Sequence, residues 1–124
     1  MAKKEVTYES ICKEITDHQF SPVYVLMGDE PYFIDRITDL LIANVLQEEE
    51  RDFNQTVFYG ADTDAVSVIN AARRFPMMSA YQLIVVKEAQ LMRDIEQLAA
   101  YVKQPLSSTV LVIDYKYKTL DRRK

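Results

Sequence analysis

Residues 23–35 read VYVLMGDEPYFID, and this short stretch decides the fold. Its first five residues form an apolar run typical of a buried strand, and Gly28 follows them directly. Pro31 suits the first turn of a helix, because the N–H that proline lacks has no partner there. The stretch therefore predicts a strand, a tight turn and a helix, the layout in which many proteins bind phosphate.

The alternation of apolar runs and amphipathic segments continues along the chain. Further strands are predicted at 56–59, 83–86 and 110–113. The first two helices are predicted over 5–18 and from Pro31 through the apolar stripe Ile34, Ile37, Leu41 and Val45. Two more are predicted from a cap at Asp62 or Thr63 to about Arg74, with the stripe Val68, Ala71, Ala72 and Phe75, and through Leu91, Ile95, Leu98 and Val102 to Pro105. Uniformly apolar strands between helices indicate an α/β fold of three layers, with a mostly parallel sheet of about four strands.

The composition limits the classes of function. At 124 residues the chain is long enough for one compact domain, 1–124. A net charge of −4 argues against a surface that binds nucleic acid through phosphate contacts. The single cysteine, Cys12, excludes an internal disulfide, and no apolar run approaches the roughly 20 residues that span a bilayer. We therefore predict a cytoplasmic protein without metal, cofactor or membrane contact.

The loop at Gly28 has the register of a phosphate-binding P-loop but not its chemistry. A P-loop reads G-x-x-x-x-G-K-[ST], where the lysine contacts phosphate and the hydroxyl binds magnesium. Phe33 replaces the second glycine, Ile34 the lysine and Asp35 the hydroxyl. The acidic pair at 29–30 would also repel a triphosphate. We predict a degenerate loop that binds no nucleotide, in which Gly28 only permits the turn.

The end of the third predicted strand lacks a second part of a nucleotide site. Nucleotide hydrolases of this architecture end a strand in an acidic pair that binds magnesium and polarises water. Lys87 and Glu88 lie at that point here, and a lysine ammonium is no ligand for magnesium. With both parts missing, we predict a chain without ATPase activity.

Three segments in order carry a resemblance to a known family: PVYVLMGDEPYFIDR at 22–36, ARRFPMMSAYQLIVVKEAQLM at 72–92 and TVLVIDYKYKTLDRRK at 109–124. Together they resemble the N-terminal domain of the delta subunit of bacterial DNA polymerase III, from about Tyr8 to the last residue. The resemblance implies a RecA-like domain of AAA+ type that has lost ATP hydrolysis. It also implies a chain truncated before its last strand, without the lid and collar domains of complete delta subunits.

The resemblance further implies a role in DNA replication. The delta subunit belongs to the clamp loader of a holoenzyme that is a DNA-directed DNA polymerase, a nucleotidyltransferase. Its N-terminal domain binds the sliding clamp, the beta subunit, and helps to open the ring. The partners implied are therefore the clamp and the other clamp-loader subunits, with DNA reached only through the assembly.

In the delta subunits that the chain resembles, a hydrophobic pair of residues just before the third strand enters a pocket of the clamp. The matching residues here are Met77 and Met78, which follow Phe75 and Pro76. The family often has a leucine–phenylalanine pair at these positions. Methionines after a helix-breaking proline suit an adaptable contact with a partner. The alternative is that one or both fill gaps beneath the sheet.

Two other classes of function remain open from the residues. A receiver-like phosphoacceptor domain has the same alternation of strands and helices, but its acceptor aspartate would end the third strand, where Lys87 lies. A purely structural α/β interaction domain needs no site at all. The basic and aromatic residues of 115–118 and 122–124 predict a solvated loop and the start of a helix, with nucleic-acid contact as the alternative.

The strand order of the resembling family has a consequence for the edges of the sheet. In the order 5-1-4-3-2, a missing fifth strand leaves the strand at 23–27 on an open edge. Open apolar edges pair readily with other chains. We therefore predict that any dimer formed through this edge is an artefact of the truncation.

Overall fold

A single sheet of four parallel strands forms the centre of the molecule, a computed structural model that describes residues 8–28 and 31–116. The strands are β1 (Val23–Gly28), β2 (Gln55–Tyr59), β3 (Gln82–Lys87) and β4 (Thr109–Lys116), in the spatial order β1-β4-β3-β2. The helices are α1 (Tyr8–Thr16), α2 (Pro31–Val45), α3 (Arg51–Asn54), α4 (Ala65–Ala72) and α5 (Ala99–Lys103). Short 3₁₀ turns lie at Glu48–Glu50, Gly60–Asp62, Ala89–Leu91 and Ile95–Leu98. Within the described ranges, no helix has the length and apolar character needed to cross a membrane.

The two central strands, β3 and β4, separate two hydrophobic clusters. Successive residues of a strand point to opposite faces, so Ile84 and Val86 lie in the cluster with α4, while Leu83 and Val85 lie in the cluster with α1 and α2. All four side chains are fully buried. This arrangement confirms the three-layer α/β fold with a parallel sheet.

Several of the predicted elements are confirmed with small changes of boundary. Helix α2 begins at Pro31, and its apolar stripe is buried at Ile34, Ile37, Leu41 and Val45. The strand order places β1 at an edge of the sheet among the described residues, as predicted. Pairing of that edge with another chain stays a prediction.

The continuous helix predicted through Leu91 and Val102 is wrong. The segment instead contains two 3₁₀ turns and the short helix α5, and both named side chains are exposed, by 54% and 39%. The buried residues are spaced by three, at Met92, Ile95, Leu98 and Tyr101. That spacing matches the 3.0 residues per turn of a 3₁₀ helix rather than the 3.6 of an α-helix.

The start and the last stripe residue predicted for α4 are also wrong. The cap is Asp64, whose Oδ1 accepts from the backbone N–H of Ser67 at 2.8 Å, rather than Asp62 or Thr63. Hydrogen bonding to Ser67 lowers the pKa of Asp64, as expected for a carboxylate at a helix N-terminus. Phe75 lies beyond the end of the helix and is 75% exposed, because α4 already ends at Ala72.

The first two residues of the predicted basic loop belong to the sheet. Tyr115 and Lys116 are the last residues of β4, paired with Met27 and Gly28 of β1. The prediction of a solvated loop is wrong for these two, since the Lys116 side chain is only 14% exposed. The remainder of that prediction, 117–124, lies outside the described residues.

Candidate partner-binding site

The chain between α4 and β3 carries three large exposed apolar side chains. Phe75, Met77 and Met78 are exposed by 75%, 60% and 99%, and Pro76 between them is half-buried. We call residues 75–78 the methionine loop. It lies at the edge of the sheet that is formed by the starts of the parallel strands, not along an edge strand such as β1. Only residues 79–81 separate it from the start of β3. The structure places both methionines at the surface rather than beneath the sheet.

A buried asparagine fixes the backbone of the methionine loop. Asn54 is only 2% exposed, and its side-chain amide forms hydrogen bonds with both the backbone N–H and the backbone carbonyl of Met77. Its Oδ1 accepts from the N–H of Met77 at 2.7 Å, and its Nδ2 donates to the carbonyl of Met77 at 2.9 Å. The same Nδ2 donates to the carbonyl of Glu50 at 3.1 Å, which ties the loop to the start of α3. The sequence contains no motif that identifies Asn54 in advance.

Two buried polar side chains hold the end of α4, where the methionine loop begins. Gln82 Nε2 donates to the carbonyls of Ala71 at 2.8 Å and Arg74 at 2.7 Å. Thr109 Oγ1 donates to the carbonyl of Ala72 at 2.6 Å and accepts from Gln82 Nε2 at 3.0 Å. Carbonyls at a helix C-terminus lack intrahelical partners, so these contacts anchor the loop to the central strands.

The backbone at Met78 lies in the left-handed region, with a φ of 56°. Residues with a side chain rarely adopt this conformation, which costs on the order of 1 kcal/mol outside glycine. The Met78 side chain is 99% exposed and therefore offsets little of that cost by packing within the chain. Strained backbone of this kind is concentrated at binding and catalytic sites.

One further aromatic side chain lies beside the methionine loop and was missed by sequence reasoning. Phe53 of α3 is 73% exposed and lines a shared groove with Met77 and Met78. The only signal was its position, a single aromatic residue in a strongly charged segment. Phe53 enlarges the exposed apolar surface at this edge of the sheet.

The residues of the predicted degenerate loop lie at the opposite edge, where the strands end. Gly28 is the last residue of β1 and α2 begins at Pro31, while 29–30 lie outside the described residues. Ile34, at the position of the P-loop lysine, is buried in the core, and Phe33 is 44% exposed. The structure thus separates the predicted site residues into two groups at opposite edges of the sheet.

Lys116 forms ion pairs with Asp35 and Glu88, two residues of the predicted degenerate nucleotide site, and this contact was not predicted. Its Nζ lies 2.9 Å from Asp35 Oδ1 and 3.3 Å from Glu88 Oε2. The hydrogen bond to Asp35 raises the pKa of Lys116, and Glu88 acts in the same direction. Gln90 completes the network, since its Nε2 donates to Glu88 Oε1 at 2.7 Å and its Oε1 accepts from the N–H of Lys116 at 3.0 Å. Lys87 ends β3 beside this network.

Asp114 is a buried carboxyl group close to the same edge. It is 1% exposed, and both of its oxygens accept from Thr38 Oγ1 of α2, at 2.7 and 2.9 Å. Burial raises the pKa of Asp114 to about 6, although Thr38 and Lys116 act in the opposite direction. No group of three or more potential metal-ligating side chains occurs in the described part of the chain.

Replacing Lys116 by methionine is expected to reduce the free energy of unfolding by about 1 kcal/mol, since two ion pairs with half-exposed partners are lost. Urea unfolding at low and high salt measures the loss, which should shrink with added salt because the partners face solvent. The matched control is Lys13→Met, which removes the exposed pair with Asp17, 3.1 Å apart. An equal loss for the two variants would contradict a special role for Lys116.

The parallel sheet with helices on both faces defines the class: a three-layer α/β protein. Within that class, residues 24–124 match the sequence family described as DNA polymerase III, delta subunit. The chain belongs to this family.

A sequence and a solved structure from Bacillus subtilis agree with this assignment. The chain is 27% identical to DNA polymerase III subunit delta of strain 168, over 92% of the chain and 36% of the relative. The solved structure of the Bacillus subtilis DNA clamp loader delta protein superposes with a TM-score of 0.83 at 26% identity, over 95% of the chain and 38% of that protein. The chain thus spans little more than a third of the length of these relatives.

Proposed function

We propose that this chain is the part of a clamp-loader subunit that binds the sliding clamp and helps to open it for loading onto DNA. Met77 and Met78 enter an apolar pocket of the clamp, with Phe75 and Pro76 beside them. The observation that carries the proposal is the near-complete exposure of Met78 on a loop whose backbone is held by buried side chains.

The geometry of the methionine loop favours binding for two physical reasons. Transfer of each methionine side chain from water into a pocket contributes on the order of 1.5–3 kcal/mol. The two hydrogen bonds between Asn54 and Met77 already order the backbone in the free chain. Less conformational entropy is therefore lost on binding than with a flexible loop.

We infer that the chain itself does not hydrolyse ATP. The position of the P-loop lysine is occupied by buried Ile34, and Asp35, at the hydroxyl position, is paired with Lys116. An ammonium group between Asp35 and Glu88 disfavours a magnesium ion at the same place by charge repulsion. ATP-dependent steps then belong to other clamp-loader subunits, and DNA is contacted only through that assembly, in the cytoplasm.

A titration of the purified sliding clamp from the same organism with this chain tests the proposal. We expect saturable binding measured by calorimetry, and a change in distance between two dyes placed across one interface of the clamp ring. Phosphate release from ATP should not exceed that of buffer. Failure to saturate at tens of micromolar would contradict clamp binding, whereas steady ATP hydrolysis would contradict only the non-catalytic assignment.

A further inference from the structure

A groove separates the methionine loop from α3 and the turn before it. Its lining is apolar through Phe53, Met77 and Met78 and acidic through Glu49 and Glu50. The groove has a volume of about 460 Å³, enough for a long side chain of a partner. Two kinds of surface, apolar and acidic, therefore meet in one concave site.

Phe53 contributes to the surface rather than to the core. Its side chain is 73% exposed, whereas the next residue, Asn54, is 2% exposed and holds Met77. The described hydrophobic clusters on the two faces of the sheet do not include Phe53. An exposed aromatic ring beside two exposed methionines forms a continuous apolar patch, which is typical of a protein interface.

The acidic wall of the groove is formed by Glu49 and Glu50. Among the residues that the structure describes, no ion pair involves Glu49 or Glu50. Arg51, the residue after Glu50, donates to a backbone carbonyl of α2 at 3.2 Å rather than pairing with either carboxylate. Glu50 accepts from the backbone N–H of Gln47 at 3.0 Å. A cationic side chain from a partner would meet two carboxylates without an ion-pair partner among the described residues.

We propose that the groove receives a second segment of the sliding clamp, one that carries a lysine or arginine beside an apolar side chain. The contact is then reciprocal: Met77 and Met78 enter the clamp, and a basic side chain of the clamp enters the groove. The apolar part of that segment packs on Phe53, and its charge lies against Glu49 and Glu50. This inference rests on the proposed clamp binding and adds the chemistry of the partner surface.

Two single variants of the full chain test the groove by titration against the clamp at low and high salt. Phe53→Ala is expected to weaken binding about 10-fold at either salt concentration, because it removes apolar contact. Glu49→Lys is expected to weaken binding about 10-fold at low salt and much less at high salt, because repulsion is screened. Matched controls are Val66→Ala, 58% exposed at the start of α4, and Glu96→Lys, an exposed residue outside the groove.

The outcomes separate this inference from the proposed function. If the groove variants and controls bind like the unchanged chain while loss of both methionines abolishes binding, the groove is not part of the interface and clamp binding stands. If loss of the methionines has no effect either, the proposed function fails as well. If Phe53→Ala alters only self-association in sedimentation, the groove belongs to a second copy of this chain and the inference is overturned.

Discussion

Replacing Met77 and Met78 together by alanine is expected to weaken binding to the sliding clamp at least about 100-fold. Truncation of two buried methionines removes about 3 kcal/mol of transfer free energy, and every 1.4 kcal/mol or so is a factor of ten in affinity. The fold should persist, because the side chains are 60% and 99% exposed in the free chain. Calorimetric titration measures the affinity, and urea unfolding should differ from the unchanged chain by less than about 0.5 kcal/mol.

The matched control is a second pair of exposed apolar residues at the opposite edge of the sheet. Val66 and Leu91 are exposed by 58% and 54%, close to the value for Met77. Val66 lies at the start of α4 and Leu91 after the end of β3, whereas the methionine loop follows the end of α4 and precedes the start of β3. Val66→Ala/Leu91→Ala should change clamp affinity by less than about twofold. Equal weakening by the two double variants would contradict a contact through the methionines.

Met78→Gly distinguishes binding from folding more sharply than alanine does. Glycine adopts a φ of 56° without the steric cost that methionine bears there. Stability should therefore hold or rise while clamp binding falls, so that the two effects have opposite signs. Loss of both stability and binding would indicate that Met78 supports the fold rather than the interface.

The fold could be predicted from the sequence because its strongest signals are regular. Uniformly apolar strands, together with the period of α2, fix the number of layers and the parallel sheet. The 3₁₀ turns between β3 and α5 were wrongly predicted as an α-helix, because Leu91 and Val102 fit a period of 3.6 residues. The residues that are buried, such as Met92 and Ile95, instead follow a period of three. Apolar residues occur at both spacings, and only tertiary contacts decide between them.

The candidate sites were predicted only in part, for a related reason. Met77 and Met78 were predicted because they follow a proline and match a family pattern; their side chains are exposed, and contact with the clamp stays a prediction. Asn54 and Lys116 were missed because their partners are distant in the sequence: Asn54 bonds to Met77 across 23 positions, and Lys116 at the end of β4 pairs with Asp35 of α2. A polar residue whose partner is this far away in the sequence has no local signature.

The buried carboxyl group of Asp114 should make the stability of the chain depend on pH, because no ion pair with it occurs among the described residues. Thr38 is its hydrogen-bond partner, and the charges that face it come from Lys116, Lys87 and Asp35. Burial dominates, so the pKa of Asp114 rises from 3.8 to about 6. Between these values the folded chain holds more protons than the unfolded chain, and its stability falls as the pH rises.

Asp114→Asn is therefore expected to gain stability relative to the unchanged chain as the pH increases. The shift of roughly two pH units corresponds to about 3 kcal/mol in total, of which about 2 kcal/mol should develop between pH 4.5 and 7.5. Urea unfolding of both proteins across that range gives the difference at each pH, in which the titration of all other groups cancels. Asp39→Asn, an exposed residue on α2, makes the same change in charge and is the control. A difference between Asp114→Asn and the unchanged chain that stays constant with pH would show that Asp114 titrates alike in the folded and unfolded chains.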